Sequence, residues 1–358
     1  MTHSSVGIRG IGIFLPTDVR TNDYWSPSTI ESWNEKPNLV RPGLGKADAQ
    51  TEGARRTLAA MASFRDDPFK GAVERRIMAE GANSSDMELA ACRDAISRSG
   101  VLVEDINLLL VFSQLPDFLL VPNAALLHKA LGLPRACFAM DTQAACNSFM
   151  AQFALAEQMI KSGQAKNALL VQSSSVSRLC RPEDHHAVWF GDAATAVVVG
   201  PVSEGKGSLA WSHRVDGSFH KALMVGAPDK QWWDADRLVV YNHDRQAARN
   251  MLLLIADLAK EVVDDALGKA ELGPLDVDFY ATHQSTLWFR QVTQDYMGLS
   301  NAKSFDSFSW TGSLAASNIP FMLGMAEREG VLRNGQLVAT YSGGSGITWS
   351  GNVLRWGH

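Results

Sequence analysis

Cysteine is scarce in this 358-residue sequence: Cys92, Cys137, Cys146 and Cys180 are the only four. They form no C-x-x-C pair, which excludes the usual zinc and dithiol spacings. So few thiols at irregular spacing suit a reducing compartment, not a disulfide scaffold. Charge of one sign is also scarce. The formal net charge is −5 and no block of like charges stands out, so the basic footprint of a nucleic-acid binder is missing. No apolar run approaches the roughly 20 residues of a membrane span. Met1–Gly10 lacks the basic-then-apolar pattern of a signal peptide. A cytoplasmic protein with no membrane and no nucleic-acid partner is expected. The pair His185-His186 has no carboxylate spacing to support a metal, and none is expected.

What is present is alternation. The apolar runs at 108–113, 168–172, 194–199 and 337–341 have strand length, and apolarity on both faces suits strands covered on both sides. Between them lie helical patterns. Ser85-Asp86-Met87-Glu88 has capping-box spacing ahead of a periodic segment that ends at Gly100. Arg245–Leu267 reads as one long amphipathic helix stopping at Gly268. This alternation implies α/β layering.

A weak internal repeat sharpens that reading. DINLLLVFSQ from Asp105 pairs with DVDFYATHQS from Asp276, an offset of 171. SGQAKNALLVQSSS and RNGQLVATYSGG, aligned on Gly163 and Gly335, give 172. Two copies of one α/β unit follow, over 1–205 and 206–358, and the offset sets Cys146 opposite 317–318. Residues 26–70 differ in composition and read as an insertion on the first unit, a lid or a dimer element, with one periodic stretch at 55–62.

Four segments carry polar or reactive groups where such a fold places sites. Cys146 lies between an apolar run ending near Met140 and a helical pattern over 147–160. A cysteine at that junction meets a helix's positive end, which favours the thiolate; equally, a free cysteine can be a small buried hydrophobe. For Cys92, Cys137 and Cys180, inside or beside regular elements, the buried role is the better reading. His283 ends a strand-like run, where α/β sheets form sites, and can act as base or hydrogen-bond donor. In WTGSLAASNIP, Ser313 and Asn318 are the polar candidates, and either can cap a helix. In YSGGSGITWSG the glycines allow close backbone approach, so the Ser345 amide can join the Cys146 amide as an oxyanion hole.

Together these segments resemble the β-ketoacyl-ACP synthase III family of the thiolase superfamily. The match spans nearly the whole chain: GIGIFLPTDVRTND, ERRI, DTQAACNSF, FGDAATAVVV, HQST, GSLAASNIP and GGSGITWSG. The resemblance implies a five-layered αβαβα thiolase fold of two duplicated halves, a homodimer, and a tunnel for a phosphopantetheine arm. It implies CoA or acyl carrier protein thioesters as substrates and no permanently bound cofactor. It places Cys146 as nucleophile and His283 in the triad. The family's triad asparagine falls on Ser313, and the asparagine of its His-Gln-Ala-Asn motif on Thr286. Losing one such donor costs about 10²–10³ in rate. Related branches lack the asparagine too; one that acylates sugar hydroxyls carries an aspartate where Asn318 lies, so Asn318 is the expected third group. The phenylalanine that borders the family's tunnel from the partner subunit aligns with Val121, which implies a wider wall. Leu120, Val121, Thr286 and Trp288 are the expected tunnel residues.

The expected activity is therefore acyl transfer. Cys146 takes an acyl group from acyl-CoA or acyl-ACP and passes it to a second nucleophile, in specialised metabolism. The alternatives are decarboxylative initiation of fatty-acid synthesis with malonyl-ACP, a non-catalytic partner subunit, and thioester hydrolysis.

Overall fold

In this computed structural model, residues 5–35 and 49–358 are described. The part of the 26–70 insertion between 36 and 48 lies outside them. Two sheets organise the chain. The first has the order Val6–Phe14, Ala193–Pro201, Asn167–Ser174, Ile106–Ser113, Phe138–Asp141. The second has the order Gly207–Val215, Thr348–Arg355, Leu337–Gly344, Phe279–Thr282. In each, two antiparallel pairings precede a parallel one. The first sheet ends with a further parallel strand. At the same edge of the second, a single parallel bridge joins Phe279 to Lys303. Each sheet is thus one copy of the same strand order.

Three apolar cores give the layers. The central core takes residues from both sheets (Leu110 and Val197; Phe279 and Val338) and from the two helices between them, Ser148–Lys161 and Asn318–Arg328. A second core packs the helix Ser84–Ser99 on the outside of the first sheet. A third packs Ile255–Lys269 and Phe289–Met297 on the outside of the second. Helix, sheet, helix, sheet, helix is the resulting order. Strands covered on both faces read as unbroken apolar runs; Asn167–Ser174 is buried at every position.

Several local expectations shift. The Ser84–Ser99 helix is capped by Asn83 and Asp86, not from Ser85, because Asp86 Oδ2 accepts the Asn83 amide at 2.9 Å. The expected single helix over 245–267 is two, Arg245–Leu253 and Ile255–Lys269, and the second runs through Gly268. Inside the insertion, Pro27–Glu35 and Glu52–Ala62 are helices. Among the described residues no helix is long and apolar enough to cross a membrane.

Candidate active site

The nucleophile candidate sits in a strained turn. A 3₁₀ turn, Ala145–Asn147, leads from the first sheet into the Ser148–Lys161 helix. Ala145 there has φ of 50°, a left-handed conformation that costs a non-glycine residue about 1 kcal/mol or more. The turn is tied to the other half. Ser342 Oγ donates to the Cys146 carbonyl at 2.9 Å, and Asn147 Nδ2 donates to Ser350 Oγ at 2.9 Å. Gly344 explains why the glycine-rich strand end can come so near. A Cβ there would stand 2.3 Å from the Ala144 carbonyl oxygen and 3.0 Å from the Asn147 amide.

The same turn recurs 170 positions later. Ala315–Ser317 is a 3₁₀ turn leading into Asn318–Arg328, and Ala315 has φ of 49°. Cys146 therefore lies opposite Ala316, not 317–318; insertions between the matched strands account for the slip.

His283 directly follows the strand Phe279–Thr282. Its Nδ1 edge turns toward the second turn. Asn318 Nδ2 lies 2.8 Å from Nδ1, and the Ala315 carbonyl lies 3.2 Å from it. The Leu314 N–H lies 3.2 Å from Asn318 Oδ1. A donor facing that atom makes it the oxygen, so the amide nitrogen must face the histidine. The shorter contact suits Nδ1 as acceptor with the ring proton on Nε2, whereas the Ala315 carbonyl, also 3.2 Å from Asn318 Nδ2, suits the opposite tautomer.

Burial decides the charge states. It drives the His283 imidazole down to about 4, against the Ala315 carbonyl, which favours the protonated ring. It pushes the Cys146 thiol up to about 12, against a hydrogen bond from its own backbone amide. Desolvation acts here against the helix end, raising the Cys146 thiol and lowering the His283 ring from their ordinary values.

Cys146 and His283 share the wall of one cavity of about 160 Å³. Of the other expected residues, Ser345, Thr286 and Trp288 line it. Asn318 and Ser313 do not: they are fully buried behind His283, with Ser313 Oγ 3.4 Å from Asn318 Nδ2. Ser313 instead clamps the backbone of the Phe-Gly-Asp segment, its amide donating to the Trp189 carbonyl at 2.7 Å and its carbonyl accepting the Gly191 amide at 3.1 Å. Leu120 and Val121 do not line the cavity either; they stand on the surface, 92% and 42% exposed. The other three cysteines are buried. Asp192 is buried too, its carboxylate accepting the amides of Met78 at 2.8 Å and Ser177 at 3.1 Å. Within the signature FGDAAT, Asp192 therefore builds the frame, while Phe190 lines the cavity.

Phe190, Tyr341, Gly343 and Gly344 line the cavity from motifs already quoted, but the sequence did not point to most of the remaining wall. Met61, Phe64 and Lys70 come from the insertion. His186, Trp189 and Asn242 form a polar patch, and Met251, Leu252 and Ile255 bring apolar surface from the split helix. Of these, Trp189 lies beside the Phe-Gly-Asp signature and His186 in the His185-His186 pair; the others carried no local signal. Among the described residues no group of three His, Cys, Asp or Glu side chains is placed to hold a metal.

Comparison with known proteins agrees with this frame. The family described as 3-oxoacyl-[acyl-carrier-protein (ACP)] synthase III matches residues 140–217, and its C-terminal counterpart matches 267–356. β-Ketoacyl-[acyl-carrier-protein] synthase III 1 of Bacillus cereus is 34% identical over 99% of both chains. Solved structures of 3-oxoacyl-(acyl carrier protein) synthase III superpose with a TM-score of 0.77: the Thermus thermophilus protein at 26% identity, covering 98% of this chain and 99% of that one, and the Pseudomonas aeruginosa protein at 24%, covering 99% of both. The chain belongs to the β-ketoacyl-ACP synthase III family, acyltransferases and condensing enzymes of the thiolase fold.

Proposed function

We propose that this protein is a Cys146-dependent condensing enzyme that forms a carbon–carbon bond. The Cys146 sulfur attacks the carbonyl carbon of an acyl-CoA or acyl-ACP thioester. The amides of Cys146 and Ser345 hold the developing oxyanion. The carrier leaves as its free thiol, taking the proton of Cys146. A second, malonyl-type thioester then loses carbon dioxide. Its enolate oxygen accepts the His283 Nε2–H, its α-carbon attacks the acyl carbonyl, and the Cys146 sulfur departs and is reprotonated. Ping-pong kinetics follow from the covalent intermediate.

The observation that carries this reading is the 2.8 Å contact between Asn318 Nδ2 and His283 Nδ1. With Asn318 donating there, Nε2 carries the ring proton, a donor that suits an enolate oxygen. An aspartate at this position would accept from Nδ1 and leave Nε2 a base, the need of a hydroxyl acceptor. Asn318 is therefore a positioning residue, acting through His283. With Ser313 buried, the side-chain donor that the resemblance places there is missing. That absence supports a place outside ordinary chain initiation, in specialised metabolism.

The exposed run Phe118, Leu119, Leu120 and Val121, 59%, 77%, 92% and 42% exposed, supports a homodimer that covers it. Sedimentation of a monomer at micromolar concentration would overturn the dimer.

The test of the reaction is intact-protein mass spectrometry with a panel of acyl-CoA and malonyl-CoA thioesters, beside Cys146→Ala. An acyl adduct absent from the variant is expected, with release of carbon dioxide once a malonyl thioester is added. No adduct with any CoA or ACP donor would sink the reading. An adduct that forms free acid without acceptor would make the protein a hydrolase instead.

A further inference from the structure

The tie from Asn147 leads on to the surface. Asn147, next to Cys146, is buried, and its Nδ2 donates to Ser350 Oγ at 2.9 Å and to Thr348 Oγ1 at 3.2 Å. Ser350 stands opposite His213 across the antiparallel pair Gly207–Val215 and Thr348–Arg355. Its hydroxyl lies 2.9 Å from His213 Nδ1. His213 is exposed, and its ring stacks on Trp211 at 5.3 Å. Three side chains thus join an exposed imidazole to the residue that follows the nucleophile.

The chain of hydrogen bonds has a direction. A hydroxyl has one hydrogen to give. Ser350 Oγ takes a hydrogen from Asn147, so its own is free for His213 Nδ1, which accepts it while the ring is neutral. Protonation makes both ring nitrogens donors. Nδ1–H then points at Ser350 Oγ, and the hydroxyl hydrogen must turn away from the ring. On the Asn147 side it meets Nδ2, itself a donor. Only the amide oxygen can accept it, and Asn147 Oδ1 is buried with no donor among the described residues. Turning the amide brings that oxygen to Ser350 and puts the Nδ2 hydrogens where Oδ1 had no partner. The reversed chain is weaker than the one it replaces, because a buried donor without an acceptor is costly.

The charges around the ring agree. Burial, then the Lys269 and Arg214 cations, hold His213 below its ordinary value, so the ring is neutral near pH 7. The carboxylates on the helices packed against this strand are engaged elsewhere. Asp265 accepts from Lys269 at 2.9 Å and from Arg214 at 3.3 Å, Glu261 accepts from Arg214 at 3.2 Å, and Glu157 accepts from the Trp211 indole at 2.6 Å. The neighbouring strand brings no ionisable group before Arg355.

We propose that His213 is a positioning residue for Cys146, acting through Ser350 and Asn147, and that a proton on its ring loosens the turn that carries the nucleophile. Cys146 is then less reactive in acid than its own ionisation requires. This role rests on the reading above only in taking Cys146 as the nucleophile.

The test is the rate at which a dipyridyl disulfide, a thiol reagent that stays active in acid, labels Cys146 between pH 4.5 and 8. Mass spectrometry of the Cys146 peptide follows it in the parent and in His213→Gln. The reagent needs no acyl donor, so the result is read whether or not acyl adducts form. Glutamine cannot take a charge and can still meet Ser350. Groups that titrate in both proteins, Glu88 and His283 among them, cancel in the ratio of the rates. Equal rates are expected at pH 8. At pH 4.5 the parent is expected to be about fivefold slower, the factor that one hydrogen bond supports. In the Ser350→Ala background, His213→Gln is expected to change nothing at any pH. Circular dichroism and a melting curve verify the fold, and the first ratio stands by itself if Ser350→Ala does not fold. Equal rates at every pH, a parent that is faster in acid, or no labelling of Cys146 would overturn the proposal. A ratio that survives Ser350→Ala would overturn it too, because the charge would then act through space and not along the chain.

Discussion

The two central turns are built alike and do different work. Each is a 3₁₀ turn opening a helix, with an alanine at φ of 50° or 49°. Each is pinned to the other half: Ser342 Oγ donates to the Cys146 carbonyl, and Ser317 Oγ donates to the Gln172 carbonyl at 3.1 Å. The first turn carries a thiol to the cavity. The second has Ala316 at the matching position and spends its polar residue, Asn318, on the back of His283. Duplication supplied the geometry twice, and the chemistry is divided between the copies. One holds the nucleophile, and the other sets the proton on its partner. Neither turn is a site alone.

The sharpest way to break this division is at Asn318. Asn318→Leu removes the donor to Nδ1. The ring is then free to donate to the Ala315 carbonyl, 3.2 Å away, which turns Nε2 into an acceptor. Loss of a preorganised donor to an oxyanion costs about 10²–10³ in rate. The drop is expected in the condensation step, with formation of the acyl adduct at Cys146 nearly unchanged. Asn318→Asp is expected to be as slow in condensation and to raise hydrolysis of the acyl-enzyme, because Nε2 becomes a base. Single-turnover measurement of the two half-reactions separates these effects. Equal slowing of both half-reactions would mean that Asn318 only supports the fold.

A comparison of the outer and inner layers gives the next prediction. Glu88, buried under the first sheet, is pushed up to about 7 by desolvation, while hydroxyls of Ser113 and Ser173 pull it back. His283 is driven down to about 4 by the same cause. Their contributions to stability run in opposite directions. A raised carboxyl favours folding below its unfolded pKa, and that stability is lost as pH rises to about 7. A depressed imidazole binds fewer protons when folded, so stability is lost as pH falls from about 6.5 to about 4. Each term amounts to about 3 kcal/mol, so between pH 4.5 and 6.5 they largely offset. Relative to the parent, Glu88→Gln is expected to gain stability as pH rises through this window, and His283→Gln as pH falls. Urea unfolding at pH 4.5, 5.5 and 6.5 reads both. Slopes of the same sign would refute the assignment.

Much of this division could be read in the sequence, and the remainder shows where reading stops. The strands were legible because both faces are covered, so Ile106–Ser113 and Asn167–Ser174 appear as unbroken apolar runs. His283 was legible because it directly follows such a run, and Cys146 because it lies in the turn between a strand and a helix. Asn318 was found, but its role was not: whether an amide faces substrate or the back of a histidine depends on Leu314 N–H, and no spacing encodes that contact. Nor does any spacing encode that Ser313 stands off the cavity with its backbone bonded to Trp189 and Gly191. The far wall of the cavity was out of reach. Its residues come from the insertion, from the segment 222–242 and from the two helices read as one. They converge only through tertiary packing.

The smallest expected effect tests whether the two turns are equal as structure. Glycine adopts a left-handed conformation without the Cβ penalty. Ala145→Gly and Ala315→Gly should each relieve about 1 kcal/mol of folded-state strain, partly cancelled by the greater freedom of glycine in the unfolded chain. A net change within about 0.5 kcal/mol, the same for both, is expected from urea unfolding. Activity should separate them where stability does not. Relaxing Ala145 moves the nucleophile itself and should slow acylation. Relaxing Ala315 loosens the carbonyl beside His283 Nδ1 and should slow only the second half-reaction. If both variants slowed both half-reactions alike, the turns would share one mechanical role, and the division of labour argued from Asn318 would lose its support.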